Sequence, residues 1–348
     1  MSETSTGATN SGSQPPVPQV IVHTNKETFF GKMGKRFLYM VLGISLMTNF
    51  ALLSASQDYF AGEGAPREKY HSGKKTSTDK IALIEVKTTI MAPYTERIIK
   101  AIKQAETDDQ VKGAVLVIDS PGGLVTDSHQ IYHRLEKLRA KKPIIVCMQD
   151  IAASGGYYIA MGAGKTGKIY AEPTTWTGSI GVILPRYEIG GLADKLGIKS
   201  DPLKTGKFKD ALNPLRPMTP EESQLWTNII DQAFQRFLGI IVDNRPDMPL
   251  EKLKPLAQGQ IFTADDAKKN GLVDEIGFEE DAIEDLKKQL KLTEARVIKY
   301  ETESGLSELL LGSRMQQWDP AEQIRKILEA SVPRALYFCS SNLPSALQ

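Results

Sequence analysis

A serine flanked by glycines is the feature of this chain that most clearly suggests chemistry. Ser154 lies in the run Ala152-Ala153-Ser154-Gly155-Gly156-Tyr157-Tyr158. The chain's four histidines are His23, His71, His129 and His133. None of them follows Ser154, so the usual base for a nucleophilic serine is missing downstream. A lysine is the main alternative, because burial in apolar surroundings lowers the pKa of an amine and lets it accept the hydroxyl proton.

Three lysines downstream of the serine are candidates for that base. They are Lys204, Lys207 and Lys209. Spacing alone does not choose among them, because lysines in a polar segment are usually solvated. Asp210 follows Lys209 directly, and a facing carboxylate would raise the pKa of the amine. A base at Lys209 therefore requires Asp210 to point elsewhere.

Glycines also punctuate a second loop, Asp119-Ser120-Pro121-Gly122-Gly123, which follows an apolar run. Loops beyond the carboxyl ends of parallel strands commonly carry chemistry. The oxyanion of an acyl-transfer intermediate needs two N–H donors. We expect Gly155 to supply one N–H and a glycine of the Pro121-Gly122-Gly123 turn to supply the other.

Apolar runs alternate with helical patterns through the middle of the chain. The predicted strands are 81–86, 114–118, 143–148, 168–171 and 177–183. The predicted helices are 95–105, 125–140, one opening at Thr219-Pro220-Glu221-Glu222, 263–271 and 279–290. Strands that alternate with helices indicate βαβ units and an α/β fold with a largely parallel sheet. Cys147 lies inside an apolar run, and we expect it to be a buried strand residue.

The N-terminal part has a different character. Residues 1–36 form a polar, predicted disordered tail that ends in Lys32, Lys35 and Arg36. The uncharged stretch 37–56 has the length of a transmembrane anchor, and residues 57–79 resemble a linker. The basic flank predicts a single-pass protein with a cytoplasmic N-terminus and an extracytoplasmic domain. A cleaved signal peptide and a buried soluble helix are the alternatives.

Composition excludes several classes of function. The chain has 43 basic and 42 acidic residues, a balance that gives no reason to expect a nucleic-acid partner. Its two cysteines, Cys147 and Cys339, lack metal-type spacing. His129 and His133 are four residues apart on a predicted helix, but no acidic or cysteine partner completes a site, which favours a solvated face. We expect neither a metal nor a cofactor.

An ordered set of motifs resembles the signal peptide peptidase A family of serine proteases. The motifs are Asp119-Ser120-Pro121-Gly122-Gly123, Ala153-Ser154-Gly155-Gly156-Tyr157, Thr177-Gly178-Ser179-Ile180-Gly181, Phe208-Lys209-Asp210 and Gly271-Leu272-Val273-Asp274. The resemblance runs from about residue 80 to 291. No single motif is diagnostic, but their order is specific.

The resemblance implies a Clp protease/crotonase-like fold over residues 80–303 and a membrane-anchored peptidase with a Ser–Lys dyad. It implies Ser154 as nucleophile, Lys209 as general base, Gly155 and Gly122 as oxyanion donors, and Ser179 as a supporting residue near the lysine. The single unit resembles the short forms, which assemble into a homo-oligomeric ring with the dyad completed between neighbours. The implied substrates are peptides, above all cleaved signal peptides.

Two parts of the chain depart from the family pattern. The segment 162–168 is slightly longer than expected and is predicted to reshape a substrate loop. The tail 304–348 lies outside the motifs; it contains a predicted helix opening at Asp319-Pro320, followed by Leu336-Tyr337-Phe338. Docking on its own domain, packing on a neighbouring subunit, occupying a substrate groove and touching the membrane all remain open for this tail.

Two other functions are compatible with the same architecture. A crotonase-like acyl-CoA hydrolase or isomerase would use paired oxyanion donors on a thioester without a nucleophile. A non-catalytic membrane-tethered scaffold would bind peptides in the groove. The serine at the Ser-Gly-Gly position argues against the first alternative, and Ser154 together with Lys209 argues against the second.

Overall fold

The computed structural model describes residues 29–61, 66–301 and 336–338, without the side chains of residues 29–33, 51–61 and 338. The chain divides into two units, Met1–Glu63 and Gly64–Gln348. Residues 1–28 of the predicted disordered tail 1–36 fall outside the described residues, and residues 29–36 are helical, which corrects that part of the prediction. The predicted helix near Asp319 also falls outside the described residues.

In the first unit, one helix, α1 (Phe29–Ala61), covers the predicted anchor 37–56. Large apolar side chains along it are exposed, among them Phe37, Leu42 and Phe50. Within the residues whose side chains the structure describes, no helix is both long and apolar enough to cross a membrane. Residues 51–56 of the predicted anchor lie outside that part of the chain.

The second unit contains the remaining elements. They are β1 (Arg67–Gly73), β2 (Lys80–Val86), α2 (Tyr94–Thr107), β3 (Val111–Ser120), β4 (Gly122–Leu124), α3 (Val125–Arg139), β5 (Ile144–Ala153), α4 (Gly155–Ala160), β6 (Ile169–Ala171), β7 (Trp176–Gly178), α5 (Gly190–Lys195), α6 (Pro220–Asn244), α7 (Leu250–Leu253), β8 (Ile261–Thr263), α8 (Ala264–Asn270), β9 (Glu275–Ile276), α9 (Glu279–Gln289), β10 (Arg296–Glu301) and β11 (Leu336–Phe338).

A mostly parallel sheet organises this unit, which confirms the predicted α/β fold. Its order is β1-β10-β2-β3-β5-β6-β9, and all neighbours in it are parallel except the antiparallel pair β1–β10. Beyond the end of β6, strand β5 pairs with β7, and β7 pairs antiparallel with β8. A separate antiparallel ribbon joins β4 to β11.

The central strands are buried on both faces, as their continuous apolar runs predict. Ala82 and Ile84 of β2 face a core shared with α2, α3 and α6, whereas Ile81 and Leu83 pack with α9 on the opposite face. This alternation follows from the two-residue period of a strand. The two helical layers therefore hold β3 and β5 rigidly, with the predicted catalytic loops at their carboxyl ends.

The predicted linker 57–79 needs a correction. Its residues 67–73 form β1, an edge strand paired with β10, and most of its residues are exposed. Charged side chains such as Glu68 and Lys69 suit an edge strand, but they carry no apolar period that a sequence pattern would reveal.

Helix α6 starts where its capping signal predicts. The hydroxyl of Thr219 accepts the N–H of Glu222, and the Glu222 carboxylate accepts the N–H of Thr219. This reciprocal capping box satisfies two N–H groups that the helix itself leaves unpaired.

Candidate active site

Ser154 occupies the tight turn between β5 and α4. Its backbone has φ 55° and ψ −111°, a conformation that a residue other than glycine rarely adopts. The turn is held by two backbone hydrogen bonds, from Ser154 N–H to Gly178 C=O and from Tyr158 N–H to Ser154 C=O, each 2.8 Å. Strain of this kind persists where the surrounding structure imposes it, and it clusters at active sites.

The hydroxyl of Ser154 is buried and without a partner. The side chain is 1% exposed, and its Oγ makes no hydrogen bond to any residue that the structure describes. Buried hydroxyls are nearly always hydrogen-bonded, so an unpaired one requires an explanation. A nucleophilic hydroxyl has this property, because it must be free to contact a base and a substrate.

Ser179 lies directly beside Ser154. Ala153 and Gly178 are register partners and the last residues of the parallel strands β5 and β7. Ser154 and Ser179 each come directly after one of them, so the two serines leave the sheet side by side. Neighbouring strands are about 4.8 Å apart. Ser179 also has a positive φ, 48°, and its N–H donates to Gln260 C=O at 2.7 Å.

The glycine turn of the second loop abuts the amide of Gly155. A Cβ added to Gly122 would lie 2.8 Å from Gly155 N, and one added to Gly155 would lie 3.1 Å from Gly123 N. The N–H of Gly122 donates to Ser120 Oγ at 3.2 Å, within its own turn. On one side of β4, the C=O of Gly122 accepts the N–H of Ile90, and the N–H of Leu124 donates to the C=O of Ile90. The N–H of Gly123 therefore points to the opposite side of β4, toward β11.

Lys209, the predicted base, is exposed, whereas Ser154 is buried. Lys209 lies in an irregular segment between α5 and α6. Its amine makes no hydrogen bond to Ser154 Oγ, because that oxygen has no partner among the described residues. The neighbouring Lys207 lies over the ring of Phe208, with Nζ 4.7 Å from the ring centroid.

Asp210 points away from Lys209, as the lysine hypothesis requires. Its carboxylate pairs with Lys204 at 2.5 Å and with Arg216 at 3.2 Å. Hydrogen bonds from Lys204 and then Arg216 lower the pKa of Asp210 to about 2. Arg216 also makes a bidentate pair with Glu222, at 2.7 and 2.9 Å, which ties the segment to the first turn of α6.

A segment of the chain itself lies in the groove beside the glycine turn. Strand β11 runs antiparallel to β4, and Leu336 exchanges two hydrogen bonds with Ile183 on its other side, at 2.9 and 3.0 Å. A Cβ on Gly122 would collide with the carbonyl oxygen of Tyr337. The groove therefore accommodates an extended peptide whose carbonyl lies close to the amide of Gly155.

Aromatic rings form the floor of this groove. The Tyr337 ring stacks on Tyr158, with centroids 4.9 Å apart, and lies 4.7 Å from the ring of Phe237. Its hydroxyl donates to Ala233 C=O at 2.8 Å. Tyr158 hydrogen-bonds His129 Nδ1 at 2.7 Å, so His129 is half-buried rather than on the solvated face that the sequence favours.

Two further expectations concern metal and thiol chemistry. Among the described residues, no group of three His, Cys, Asp or Glu side chains is placed to hold a metal ion. Cys147 is fully buried in β5, as predicted, and burial raises the pKa of its thiol to about 12. A thiol in that state is a poor nucleophile.

Sequence reasoning missed the groove residues. Ile183, Phe237 and Ala233 carry no local signal, because only tertiary contact brings them to β11. The tail was recognised as a possible occupant of a substrate groove, but its pairing with β4 depends on a long-range contact.

Comparison with known proteins identifies the family of this chain. The model of peptidase family S49 matches residues 136–293. A putative signal peptide peptidase SppA of Enterococcus faecium is 34% identical over 254 residues, which cover 70% of this chain and 73% of that protein. The chain belongs to peptidase family S49.

Further relatives support the same assignment. A putative protease of Synechocystis is 40% identical over 209 residues, which cover 60% of this chain and 74% of the relative. Protease 4 of Salmonella typhi is 34% identical over 213 residues, which cover 61% of this chain but 34% of that longer protein. The S49 chain is accordingly a serine peptidase, and the acyl-CoA and scaffold alternatives fall away.

Proposed function

We propose that Ser154 is the nucleophile of this peptidase and that Lys209 is its general base. The observation that carries the proposal is the buried hydroxyl of Ser154, unpaired among the described residues, which lies beside the amide of Gly155 at the edge of a groove filled by an extended strand. Nucleophile, donors and peptide path are then adjacent, as acyl transfer requires.

The proposed reaction has two stages. Ser154 Oγ attacks the peptide carbonyl carbon while its proton passes to the lysine amine. The resulting ammonium gives that proton to the leaving nitrogen, the C–N bond breaks, and an acyl ester remains on Ser154. A water molecule, deprotonated by the same amine, then attacks the ester carbonyl carbon. The bond from that carbon to Ser154 Oγ breaks, the carboxylic acid product leaves, and the ammonium returns its proton to Ser154 Oγ.

Two backbone amides are proposed to bind the oxyanion. Gly155 N–H directly follows the nucleophile. The resemblance assigns the second donor to Gly122, but the N–H of Gly122 is engaged by Ser120 Oγ, and Gly123 N–H points to the groove. We therefore favour Gly123 as the second donor. Ser179, beside Ser154, is proposed to orient the lysine amine.

Lys209 is proposed to reach Ser154 from a second copy of the chain in a ring. A lysine acts as a base only where burial lowers its pKa, and this side chain is exposed in the single chain. The chain from Tyr187 through α5 and into this segment exposes large apolar side chains: Tyr187 71%, Leu192 56%, Leu196 65% and Leu203 100%. Apolar surface of this extent is typical of an interaction site.

The proposed substrates are extended apolar peptides, with signal peptides as the leading candidates. Antiparallel addition of a peptide strand to β4 supplies main-chain hydrogen bonds whatever the sequence, and the aromatic floor favours apolar side chains. The name of the Enterococcus relative points to signal peptides.

We also propose that α1 anchors the protein in the cell membrane, with the peptidase unit outside the cytoplasm. The apolar side chains from Phe37 to Phe50 are exposed around the helix, and Lys35 and Arg36 precede them. Protease added to intact spheroplasts should degrade the unit that begins near Lys80. Full protection of that unit would contradict the topology.

Matched alanine variants test the dyad. Ser154→Ala and Lys209→Ala should each abolish peptide hydrolysis with the circular dichroism spectrum unchanged. Lys207→Ala should retain hydrolysis, because its amine is already held over Phe208. A fluorophosphonate should label Ser154 in the parent protein. An inactive Lys207→Ala protein beside an active Lys209→Ala protein would overturn the choice of base.

A further inference from the structure

The motif Gly271-Leu272-Val273-Asp274 has no place in the chemistry above, yet it is in direct contact with the nucleophile's helix. Tyr157, three residues after Ser154, is fully buried in α4, and its hydroxyl donates to Leu272 C=O at 2.9 Å. Helix α4 is only six residues long and cannot be rigid by itself. Its position must therefore come from tertiary contacts.

The turn that accepts the Tyr157 hydroxyl is itself fixed on two sides. Arg245, at the end of α6, makes a bidentate pair with Asp274, at 2.7 and 2.8 Å, and also donates to Gly271 C=O at 2.9 Å. Paired hydrogen bonds of this kind fix direction as well as distance. The turn is thereby joined to a 25-residue helix.

On its other side the turn is joined to the sheet. The Asp274 carboxylate accepts the N–H of Ile169 at 2.8 Å, and the Asp274 N–H donates to Ile169 C=O at 2.8 Å. Ile169 opens β6, which pairs with β5, and β5 leads directly to Ser154. One side chain thus connects α6, β6 and the acceptor of the Tyr157 hydroxyl.

We propose that Tyr157 is a positioning residue, whose hydrogen bond to the turn of residues 271–274 holds the first turn of α4 so that Gly155 N–H faces the oxyanion. The proposal rests on the proposed roles of Ser154 and Gly155. An oxyanion donor must be placed within a narrow range of distance and direction, and a small displacement is costly in rate. Substrate binding along β4 does not depend on that amide, so the rate should suffer and binding should not.

The test compares Tyr157→Phe with Tyr170→Phe. Tyr170 is a matched control, because its hydroxyl also makes one 2.9 Å hydrogen bond, to Asp285, but its ring belongs to the hydrophobic cluster on the other face of the sheet from α4. In Tyr157→Phe we expect kcat and the rate of fluorophosphonate labelling of Ser154 each to fall on the order of tenfold, with KM within about twofold of the parent. Tyr170→Phe should stay within about twofold of the parent in all three.

Two outcomes would overturn the proposal. One is a Tyr157→Phe protein that labels as fast as Tyr170→Phe; the other is a raised KM with kcat and labelling rate unchanged. If Tyr157→Phe does not fold, as judged by its urea transition, Asp274→Asn takes its place, since it weakens the pair with Arg245 and leaves Tyr157 intact. A reduced labelling rate in that variant supports the proposal, and the parent's rate contradicts it.

Labelling separates this proposal from the peptidase assignment. A parent protein that is labelled at Ser154 but cleaves no peptide would overturn the proposed substrate class. The labelling rates of the two tyrosine variants would still decide the role of Tyr157.

Discussion

At the residue scale, the site depends on backbone conformation as much as on side chains. Ser154 and Ser179 both hold a positive φ, at adjacent positions on paired strands. Such conformations cost on the order of 1–3 kcal/mol each. The β5–β7 pairing and the hydrogen bond from Ser154 N–H to Gly178 C=O enforce them. The result is a buried hydroxyl at the edge of the sheet, next to the amide of Gly155.

There is no space for a side chain at Gly155, so we expect an alanine there to displace the amide. A Cβ there would lie 2.6 Å from Ser128 Oγ and 3.1 Å from Gly123 N. We expect Gly155→Ala to lower kcat by roughly 100-fold or more, because the amide is pushed from the oxyanion. The control is Gly239→Ala, where the added Cβ meets nothing within 4 Å. Equal kcat in the two variants, measured by steady-state kinetics, would argue against Gly155 as a donor.

His129 makes stability depend on pH. Burial, followed by Arg236 and His133, lowers the pKa of His129 below its usual 6.5, while Glu136 opposes the shift. Below pH 6.5 the unfolded chain binds a proton that the folded His129 resists, so this contribution is complete above that pH and is lost as the pH falls. His129→Gln should therefore lose less stability than the parent between pH 7.5 and 5.5, as measured by urea midpoints.

The control for that experiment is His133→Gln. His133 lies on the same helix with a side chain that is 59% exposed, and it makes no hydrogen bond to Tyr158. It should keep most of the parent's loss of stability, because burial, the largest cause of the lowered His129 pKa, remains when the smaller contribution of His133 is removed. If His129→Gln behaves the same way as His133→Gln, the buried imidazole is not the source of the pH dependence.

At the element scale, two glycines on regular elements have opposite surroundings. Gly239 lies on the exposed face of α6, with open space where a Cβ would stand. Gly239→Ala should stabilise the fold by about 0.5–1 kcal/mol, because alanine restricts the unfolded chain and favours the helix. Thermal or urea unfolding measures this, and a loss of stability would mean that this face of α6 is not open.

Gly113 of β3 is the opposite case. A Cβ there would meet the partly buried Leu290 at 3.1 Å and the buried Leu286 at 3.2 Å, both packed against the sheet. Gly113→Ala should therefore destabilise the fold by about 1–3 kcal/mol, since a packed core accepts extra volume poorly. An unfolding midpoint equal to the parent's would show that α9 shifts to make room.

Elements whose signals are local were predictable from the sequence, and those that depend on partners were not. The apolar runs of β2, β3 and β5 and the capping box of α6 carry their own patterns. Strand β1 is charged and exposed, and β11 is three residues long, so only pairing defines them. At the site, Ser154, Ser179 and the glycine turn follow β5, β7 and β3, and parallel strands end at one edge of the sheet, so their positions could be read from the strand pattern. Their roles stay predictions.

At the scale of the whole molecule, the proposed nucleophile and the proposed base do not meet in the described chain. Lys209 is exposed on a segment with an apolar surface of its own, and Ser154 Oγ is unpaired. Sequence spacing cannot say whether two residues meet within one chain or between two chains. Symmetric assemblies commonly resolve such a gap by repeating one contact around a ring.

Mixing two inactive variants distinguishes the two arrangements. In a ring, a Lys209→Ala subunit supplies an intact Ser154, and a Ser154→Ala neighbour supplies an intact Lys209. Equal amounts of the two variants, dissociated and reassembled together, should recover about a quarter of the parent's activity. Half of the subunits carry an intact Ser154, and half of their neighbours carry an intact Lys209. A dyad within one chain would recover none, since no subunit carries both residues. Each variant reassembled alone should stay inactive, which excludes residual activity as the source of any recovery.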